Sequence, residues 1–381
     1  MPQKHLVIDD AIPYAQAIFS HLGKITLLPG REINAAICQN ADALIVRSRT
    51  QVNAELLQDS RVQFVGSTVV GLDHIDQAWL KQQGITFYSA QGCNANSVAE
   101  YILAALFEIA QQKQLDLRQQ TLGIIGVGHV GKRLEQKAKA LGIKLLLNDP
   151  PRAEREGHQA ETPFVSLDQL LAQADIITLH TPLTQDGDHP TYQLLNSQNL
   201  KHIQPHAILI NAARGGIIDE QAWLTLNNRA NIIDCWQSEP LINAALYQKA
   251  DIATAHIAGH SLEAKVAGSS MVYHQLCQAW SITPQTDWQA QLPPNPAPLS
   301  LDPQADWQSA LHQIIKQTYD IIADDHAIRS DDIQQVHAQF ETHRRHYPIR
   351  REWAQHSVFE SPNPTINHGL KNLNFRLIMS R

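Results

Sequence analysis

The sequence predicts an α/β protein with two doubly wound parallel-sheet domains and a smaller α+β domain at the carboxyl end. Three observations lead to this prediction. Apolar runs of strand length alternate with helical stretches as far as Trp280. A glycine-rich turn joins one of these strands to the helix that follows it. After Trp280 the sequence becomes rich in proline and polar residues, which indicates a linker and a further domain.

The first domain is predicted from residues 1–96, joined by residues 259–285. Its strand-like runs are LVIDD, KITLL, ADALIVRSRT, VQFVGS and GITFYSA, and PYAQAIFSHLG reads as a helix. Ser97, with Glu100 three residues later, is predicted to cap the helix SVAEYILAALFEIAQQ, which connects to the second domain.

The second domain is predicted over residues 97–258. The stretch TLGIIGVGHVGKRLEQKAKALGIKLLLNDP has the length and pattern of one strand–helix–strand unit. Further strands are ADIITLHTPL, HAILINAARG, ANIIDCWQSEP and ADIATAHIAGH. Their alternation with helical stretches favours a doubly wound parallel sheet.

The third domain is predicted over residues 286–381. It contains the amphipathic helix WQSALHQIIKQTYDIIADD, a second helix DDIQQVHAQFETHRRHY and a short strand NFRLIM. The apolar face of the first helix is too large to leave in water, and the tail is too small to bury it alone. We therefore expect this face to lie in an interface, with a symmetric homodimer as the commonest solution.

Composition excludes several classes of protein. Hydrophobic residues make up 43% and charged residues 18% of the 381 residues, which excludes wholesale disorder. A net charge of −7 argues against a nucleic-acid partner. The four cysteines are scattered, so we expect neither disulfides nor a metal site. With no leader or membrane-spanning run, we expect a cytoplasmic protein that does not bind membranes.

The glycine turn predicts a dinucleotide site, although glycines also mark ordinary turns. Gly126, Gly128 and Gly131 follow a strand and open a helix, with His129 and Val130 between them. Asp149 ends the next strand, at the spacing of a carboxylate that binds the adenosine ribose. A carboxylate there repels a 2′-phosphate and favours NAD, whereas the nearby Arg152 could tolerate that phosphate.

Three later strands end in the polar groups NAARG, SEP and AHIAGH. Arg214, Glu239 and His256 supply a bidentate cation, an orienting anion and a base, which are the groups needed to oxidise a 2-hydroxy acid. The alternatives are a structural ion-pair arginine, a surface carboxylate and a hydrogen-bonded structural histidine.

From GVGHVG through HTPL, NAARG, SEP and HIAGH, the chain resembles the D-isomer-specific 2-hydroxyacid dehydrogenases. That resemblance implies a flavodoxin-like substrate domain and a Rossmann NAD domain. The chain resembles one branch of this family more closely, the branch that oxidises a small 4-phosphorylated 2-hydroxy acid in vitamin B6 biosynthesis. The segments that carry the closer resemblance span nearly the whole chain: PYAQAIFSHLG, LPGREI, RSRTQVN, GLDHID, QGCNANSVAEY, NDPPR and HRRHYPIRREW.

The resemblance implies roles for individual residues. His256 would exchange the proton, Glu239 would assist it, and Arg214 would anchor the substrate carboxylate. Further contacts with NAD are implied for Thr181, Ala212, Asp234 and Gly259, and contacts with substrate for Ser48, Thr68 and His260. The sequence departs from the family pattern at two positions, with Val69 in place of a threonine and His260 in place of a tyrosine.

The tail and the substrate leave alternatives open. The resemblance implies a homodimer through the tail, where Arg344, Arg345, Arg350 and Arg351 either pair with acidic groups or approach the substrate phosphate. A dehydrogenase for another 2-hydroxy acid, such as 3-phosphoglycerate, would share every motif of the cofactor and catalytic sites. A non-catalytic scaffold that senses NAD(H) is the other alternative.

Overall fold

The computed structural model describes residues 3–157 and 163–379. The chain divides into two compact units. The first comprises the residues up to Asn94 together with Ser261–Pro294, and the second comprises Ala95–His260 together with the residues from Asn295 onward. Each unit contains one large parallel sheet, of five strands in the first and six in the second, so the predicted pair of doubly wound sheets is confirmed. The division into three domains remains a prediction.

The first unit is built on a five-stranded parallel sheet with the order β2-β1-β3-β4-β5. Its strands are β1 (His5–Asp9), β2 (Lys24–Leu28), β3 (Ala43–Val46), β4 (Phe64–Ser67) and β5 (Thr86–Ser89). Its helices are α1 (Ala15–Phe19), α2 (Ala35–Cys38), α3 (Ala54–Leu57), α4 (Gln77–Gln82) and α11 (Leu262–Trp280). All four residues of β3 are buried, as expected for a central strand covered on both faces.

The second unit contains a six-stranded parallel sheet with the order β11-β10-β9-β8-β6-β7. Its strands are β6 (Thr121–Ile125), β7 (Lys144–Asn148), β8 (Ile176–Leu179), β9 (Ile208–Asn211), β10 (Ala230–Ile233) and β11 (Ile252–Ala253). The strand order changes direction between β6 and β8, and the glycine turn follows β6. Ligands bind at such switch points, beyond the carboxyl ends of the strands.

Helices cover this sheet, and a small two-stranded sheet completes the unit. The helices before the tail are α5 (Ala95–Lys113), α6 (His129–Ala140), α7 (Pro150–Glu156), α8 (Leu167–Gln173), α9 (Glu220–Thr225) and α10 (Ala244–Lys249). The tail contributes α12 (Trp307–Thr318), α13 (Ile321–His326), α14 (Ile333–Arg345), α15 (Pro364–Asn372), β12 (Ser357–Phe359) and β13 (Arg376–Ile378).

The start of α5 corrects one prediction. The helix begins at Ala95, so Ser97 lies inside it and is not its cap. The Ser97 hydroxyl donates to the carbonyl of Ala258, 3.0 Å away. Glu100 accepts from the Asn96 side chain and from the backbone N–H of Trp353. Both side chains of the expected capping box, Ser97 and Glu100, therefore form other hydrogen bonds and do not cap the helix.

The tail corrects another prediction. The apolar face of α12 is buried within its own chain: Leu311 and Ile314 are fully buried in the core that also contains the α5 residues Leu103 and Phe107. This face is therefore not the exposed patch that was expected to form an interface. The predicted single helix is also divided in two, because α12 ends before Tyr319 and Asp320 caps α13.

No helix within residues 3–157 and 163–379 combines the length and the apolar character that crossing a bilayer requires.

Candidate active site

The three predicted catalytic residues follow neighbouring strands. Arg214 comes after β9, Glu239 after β10 and His256 after β11, and these strands are adjacent in the sheet. Since parallel strands end at a common edge, their following loops meet there. The fold thus brings Glu239 and His256 into direct contact, and places Arg214 in the adjacent loop.

His256 and Glu239 form a hydrogen-bonded pair. Nδ1 of His256 lies 2.8 Å from Oε2 and 3.1 Å from Oε1 of Glu239. The side chains are 27% and 20% exposed, so the pair is sheltered but reachable. A carboxylate at Nδ1 holds that proton in place and leaves Nε2 to accept another one.

The surroundings of Glu239 keep it ionised. Burial tends to raise the pKa of its carboxyl, but the charge and hydrogen bond of His256 lower it. The Trp236 N–H, which donates to Oε1 over 2.9 Å, and the positive charge of Arg344 lower this pKa further. The outcome is a carboxyl pKa below its ordinary value, so Glu239 is an anion near neutral pH.

Asp234 shapes the loop that carries His256. Its carboxylate accepts from the backbone N–H groups of Ile257 and Ala258 at 2.8 and 3.0 Å, and from the Thr254 hydroxyl at 2.7 Å. His256 itself has a left-handed backbone, with φ 54°. A non-glycine residue adopts this conformation only where its surroundings hold it. Asp234 is therefore a positioning residue in this structure, and its predicted contact with NAD stays a prediction.

Arg214 is brought to the site by a close packing of backbones. A Cβ at Gly215 would lie 2.0 Å from the carbonyl oxygen of Trp236, so only glycine allows the loops after β9 and β10 to approach this closely. The Arg214 guanidinium donates to the Ala213 carbonyl over 2.7 Å. It is half-buried, and its remaining donors suit a carboxylate.

Cys235 lies beside the catalytic pair. One ligand atom each from Cys235, Glu239 and His256 lie within 4.8 Å of one another, a grouping that could hold a metal ion. Burial and the charges of Asp234 and Glu239 raise the pKa of the thiol well above its ordinary value. A neutral thiol is a poor metal ligand, so the arrangement is better described as a histidine–carboxylate pair flanked by an inert thiol.

The glycine turn has the conformation that phosphate binding requires. Gly126 has φ +85°, and a Cβ there would lie 2.8 Å from the backbone of Thr181. A Cβ at Gly131 would meet the Gly126 carbonyl at 2.2 Å, so α6 packs directly on the turn. Gly128 precedes α6 and has no side chain that could cap the helix. In the described chain, the first N–H groups of α6, at His129 and Val130, are therefore available to an anionic ligand.

Asp149 follows β7, at the position expected for a carboxylate that binds the ribose of the dinucleotide. Its carboxylate accepts from the N–H groups of Val127 at 2.7 Å and Arg152 at 3.0 Å, so it also ties the glycine turn to α7. The Arg152 guanidinium is already bound to Glu156, with two contacts of 2.7 Å. Arg152 is therefore less available to a 2′-phosphate than the sequence alone allowed.

Thr181 supports the fit of a dinucleotide. Its hydroxyl oxygen is buried, yet within the described residues it has no hydrogen-bond partner. Such groups normally have one, and this one lies against the glycine turn. Ala212 follows β9 and Gly259 follows His256, both on the same sheet edge. The uncapped helix, the glycines and this orphaned hydroxyl fit a bound dinucleotide.

The predicted substrate residues are divided between the two units. Ser48 and Thr68 follow β3 and β4, which are adjacent strands of the first sheet. Ser48 is exposed. Thr68 is buried, and its hydroxyl donates to the Val46 carbonyl. His260 lies in the second unit, where its ring makes an edge-to-face contact with Tyr347, at 5.6 Å between centroids.

The sequence left the role of the tail arginines open. Arg350 is buried and donates to Ser97 and to the Ala258 carbonyl, beside the catalytic loop. Tyr347 contacts His260, and the charge of Arg344 reaches Glu239. The arginine-rich motif predicts a role for this segment, but no local pattern indicates which arginine acts on the catalytic pair.

A family model for the NAD-binding domain of D-isomer specific 2-hydroxyacid dehydrogenases matches residues 97–258, and a domain of unknown function matches residues 292–373. The solved structures that share the fold include two dehydrogenases. An NAD-dependent formate dehydrogenase from Staphylococcus aureus gives a TM-score of 0.60 at 21% identity, covering 74% of this chain and 98% of its own. The 3-phosphoglycerate dehydrogenase of Entamoeba histolytica gives 0.61 at 23%, covering 73% and 96%. Fold and site thus define an NAD-dependent D-2-hydroxyacid dehydrogenase.

Two curated relatives are similar over almost the entire length. The erythronate-4-phosphate dehydrogenase of Hydrogenovibrio crunogenus is 57% identical over 377 residues, 99% of this chain and 100% of the relative. The Escherichia coli K12 enzyme of the same name is 41% identical over 354 residues, 92% of each chain. The protein belongs to the erythronate-4-phosphate dehydrogenase family.

Proposed function

We propose that the protein oxidises 4-phospho-D-erythronate at C2 to 2-oxo-3-hydroxy-4-phosphobutanoate, with NAD as the oxidant, in vitamin B6 biosynthesis. The observation that carries this proposal is the similarity over 99% of the chain to an enzyme of that name, tail included. The histidine–carboxylate pair at the sheet edge supplies the required base.

The reaction removes a proton and a hydride from the substrate. His256 takes the proton of the C2 hydroxyl at Nε2, while Glu239 stabilises the resulting imidazolium. The C2 hydrogen leaves with its electron pair, and the C–O bond becomes a carbonyl. NAD supplies the hydride acceptor when bound, held by the glycine turn, Asp149 and Thr181. Arg214 binds the substrate carboxylate in a bidentate manner and fixes the orientation of C2.

The predicted domains divide this work. We assign further contacts with substrate to residues 1–96 with 259–285, through Ser48, Thr68 and His260. Residues 97–258 would bind NAD and supply the catalytic residues Arg214, Glu239 and His256. Ser48 and Thr68 follow adjacent strands of the first sheet, which supports a shared role.

A spectrophotometric assay of NADH formation tests the function. The panel comprises 4-phospho-D-erythronate, D-erythronate, 3-phospho-D-glycerate and glycolate, each with NAD. The proposal expects the highest kcat/KM for 4-phospho-D-erythronate. A higher value for another acid would reassign the substrate. Tight binding of NADH without turnover of any acid would favour the sensing scaffold.

We also propose that the protein is a cytoplasmic homodimer joined through residues 286–381. The four cysteines are free, in keeping with a reducing compartment. Ile349 and Met379 are 72% and 81% exposed, so the tail retains apolar surface outside its core. Light scattering of the full chain should give twice the mass of the chain, and Ile349→Glu should weaken the dimer. A monomer at micromolar concentration would exclude this proposal.

A further inference from the structure

The tail arginines have different environments, so they can be distinguished. Arg345 is exposed. Arg350 is buried, donates to Ser97 and the Ala258 carbonyl, and lies 4.3 Å from the Tyr319 ring, as a structural cation would. Arg344 is half-buried, and its Nε is inaccessible to solvent without a hydrogen-bond partner among the described residues.

The helix that carries Arg344 lies beside both catalytic loops. Nε2 of His337 on α14 is 3.2 Å from the carbonyl of Ile242, in the loop that follows Glu239. Just beyond α14, the Tyr347 ring contacts His260, in the loop that follows His256. Residues seven apart share one face of a helix. Arg344 therefore lies on the same face of α14 as His337, which is the face that contacts the loop after Glu239.

The charge of Arg344 reaches the catalytic pair. Burial raises the pKa of the neighbouring Cys235 thiol, whereas the positive charges of Arg214 and Arg344 both act to lower it. The same Arg344 charge lowers the pKa of Glu239. The positive charges of Arg214 and Arg344, which are far apart in the sequence, therefore both act on the region around Cys235 and Glu239.

A buried guanidinium N–H without a hydrogen-bond partner is unfavourable. In the described chain, the Nε of Arg344 has no such partner and the guanidinium forms no ion pair with a carboxylate, so the solvation that Nε has lost is not replaced by a hydrogen bond and Glu239 acts on the charge only from a longer distance. An anionic ligand would compensate, and a guanidinium suits phosphate because its N–H groups match two phosphate oxygens.

We infer that Arg344 binds the phosphate group of the substrate, while Arg214 binds the carboxylate at the other end of the same molecule. This inference rests on the proposed function and extends it by assigning a specificity residue to the tail. The tail then has a part in substrate recognition as well as in the core of the second unit.

Kinetics with a matched pair of substrates test the inference. D-Erythronate lacks the phosphate but keeps the carboxylate and the C2 hydroxyl. Arg344→Ala should raise KM for 4-phospho-D-erythronate by about 10- to 100-fold, as expected for a lost hydrogen bond between charged groups. It should change kcat/KM for D-erythronate by less than about threefold. Arg344→Lys should lie between wild type and alanine, because an ammonium keeps the charge without the fork.

Two controls make the result specific. Arg345→Ala removes the adjacent, exposed arginine and should leave both substrates unchanged. Arg214→Lys should impair both substrates, since both carry the carboxylate. Equal losses on the two substrates in Arg344→Ala, or no loss on either, would overturn the inference.

Binding of inorganic phosphate separates this inference from the proposed function. Phosphate should raise the thermal midpoint of the wild type and of Arg345→Ala, and should raise that of Arg344→Ala markedly less. If the wild type does not oxidise 4-phospho-D-erythronate, the proposed function fails, and this measurement still decides the role of Arg344. An identical phosphate response in all three proteins would contradict that role.

Discussion

Nδ1 of His256 lies 2.8 Å from Oε2 of Glu239, although the two residues are 17 positions apart in the chain. The contact joins the loops after two neighbouring strands, and the backbone of His256 is held in its unusual conformation by Asp234. The protein's own contacts therefore orient the base, and this favours catalysis because little reorganisation remains for the reaction step.

Glu239→Gln should lower kcat by about 10- to 1,000-fold. The amide can donate to Nδ1 of His256, which would leave the ring with its proton on Nε2, the atom that must accept one. Initial-rate kinetics with 4-phospho-D-erythronate measure the effect. Affinity for NADH, measured by fluorescence, serves as the control and should be retained because the glycine turn is unaffected. A kcat close to that of the wild type would show that the pair is only structural.

Asp149→Asn should reduce the preference for NAD over NADP. The change removes the charge that repels a 2′-phosphate but leaves an oxygen to accept from Val127 or Arg152. Asp149→Ala should reduce the preference as well and also lower stability by about 1 kcal/mol, through loss of the α7 cap. The ratio of kcat/KM values for the two cofactors gives the answer, and an unchanged ratio in both variants would remove Asp149 from the ribose site.

Glu100 should make stability depend on pH. Burial, followed by the nearby charge of Glu352, raises the pKa of its carboxyl to about 8. The folded state therefore holds a proton that the unfolded state has released, and the stability this proton contributes is lost as pH rises from about 4.5 to about 8. Relative to the wild type, Glu100→Gln should gain thermal stability between about pH 6 and about pH 9.

The exposed Glu55 provides the matched control for this experiment. Glu55→Gln should follow the wild type at every pH. Parallel pH profiles for the wild type and Glu100→Gln would show that Glu100 is ionised in the folded protein throughout this range.

Much of the fold follows from local sequence patterns. The strands of both sheets were predicted because buried parallel strands read as continuous apolar runs, and the glycine turn fixed the position of one strand–helix junction. The catalytic residues could be proposed because polar groups at the ends of parallel strands meet at one edge. Both signals are contained within a few consecutive residues.

The errors have a common physical origin in contacts between distant segments. Ser97 and Glu100 match a capping box, but Ala258 and Trp353 compete for their side chains, and α5 starts earlier. The apolar face of α12 looked unpartnered because the α5 surface that covers it lies far away in the sequence. Arg344 was one of four similar arginines until the fold placed it near Glu239.

In the proposed reaction, His256 accepts the C2 hydroxyl proton of 4-phospho-D-erythronate. The most direct test of this step is the rate of NADH formation by His256→Ala with saturating NAD, beside the wild type. If His256 is the base, kcat should fall by about 100- to 10,000-fold, while affinity for NADH stays nearly unchanged. If the variant forms NADH at close to the wild-type rate, His256 is not the base, because the proton then leaves by another route.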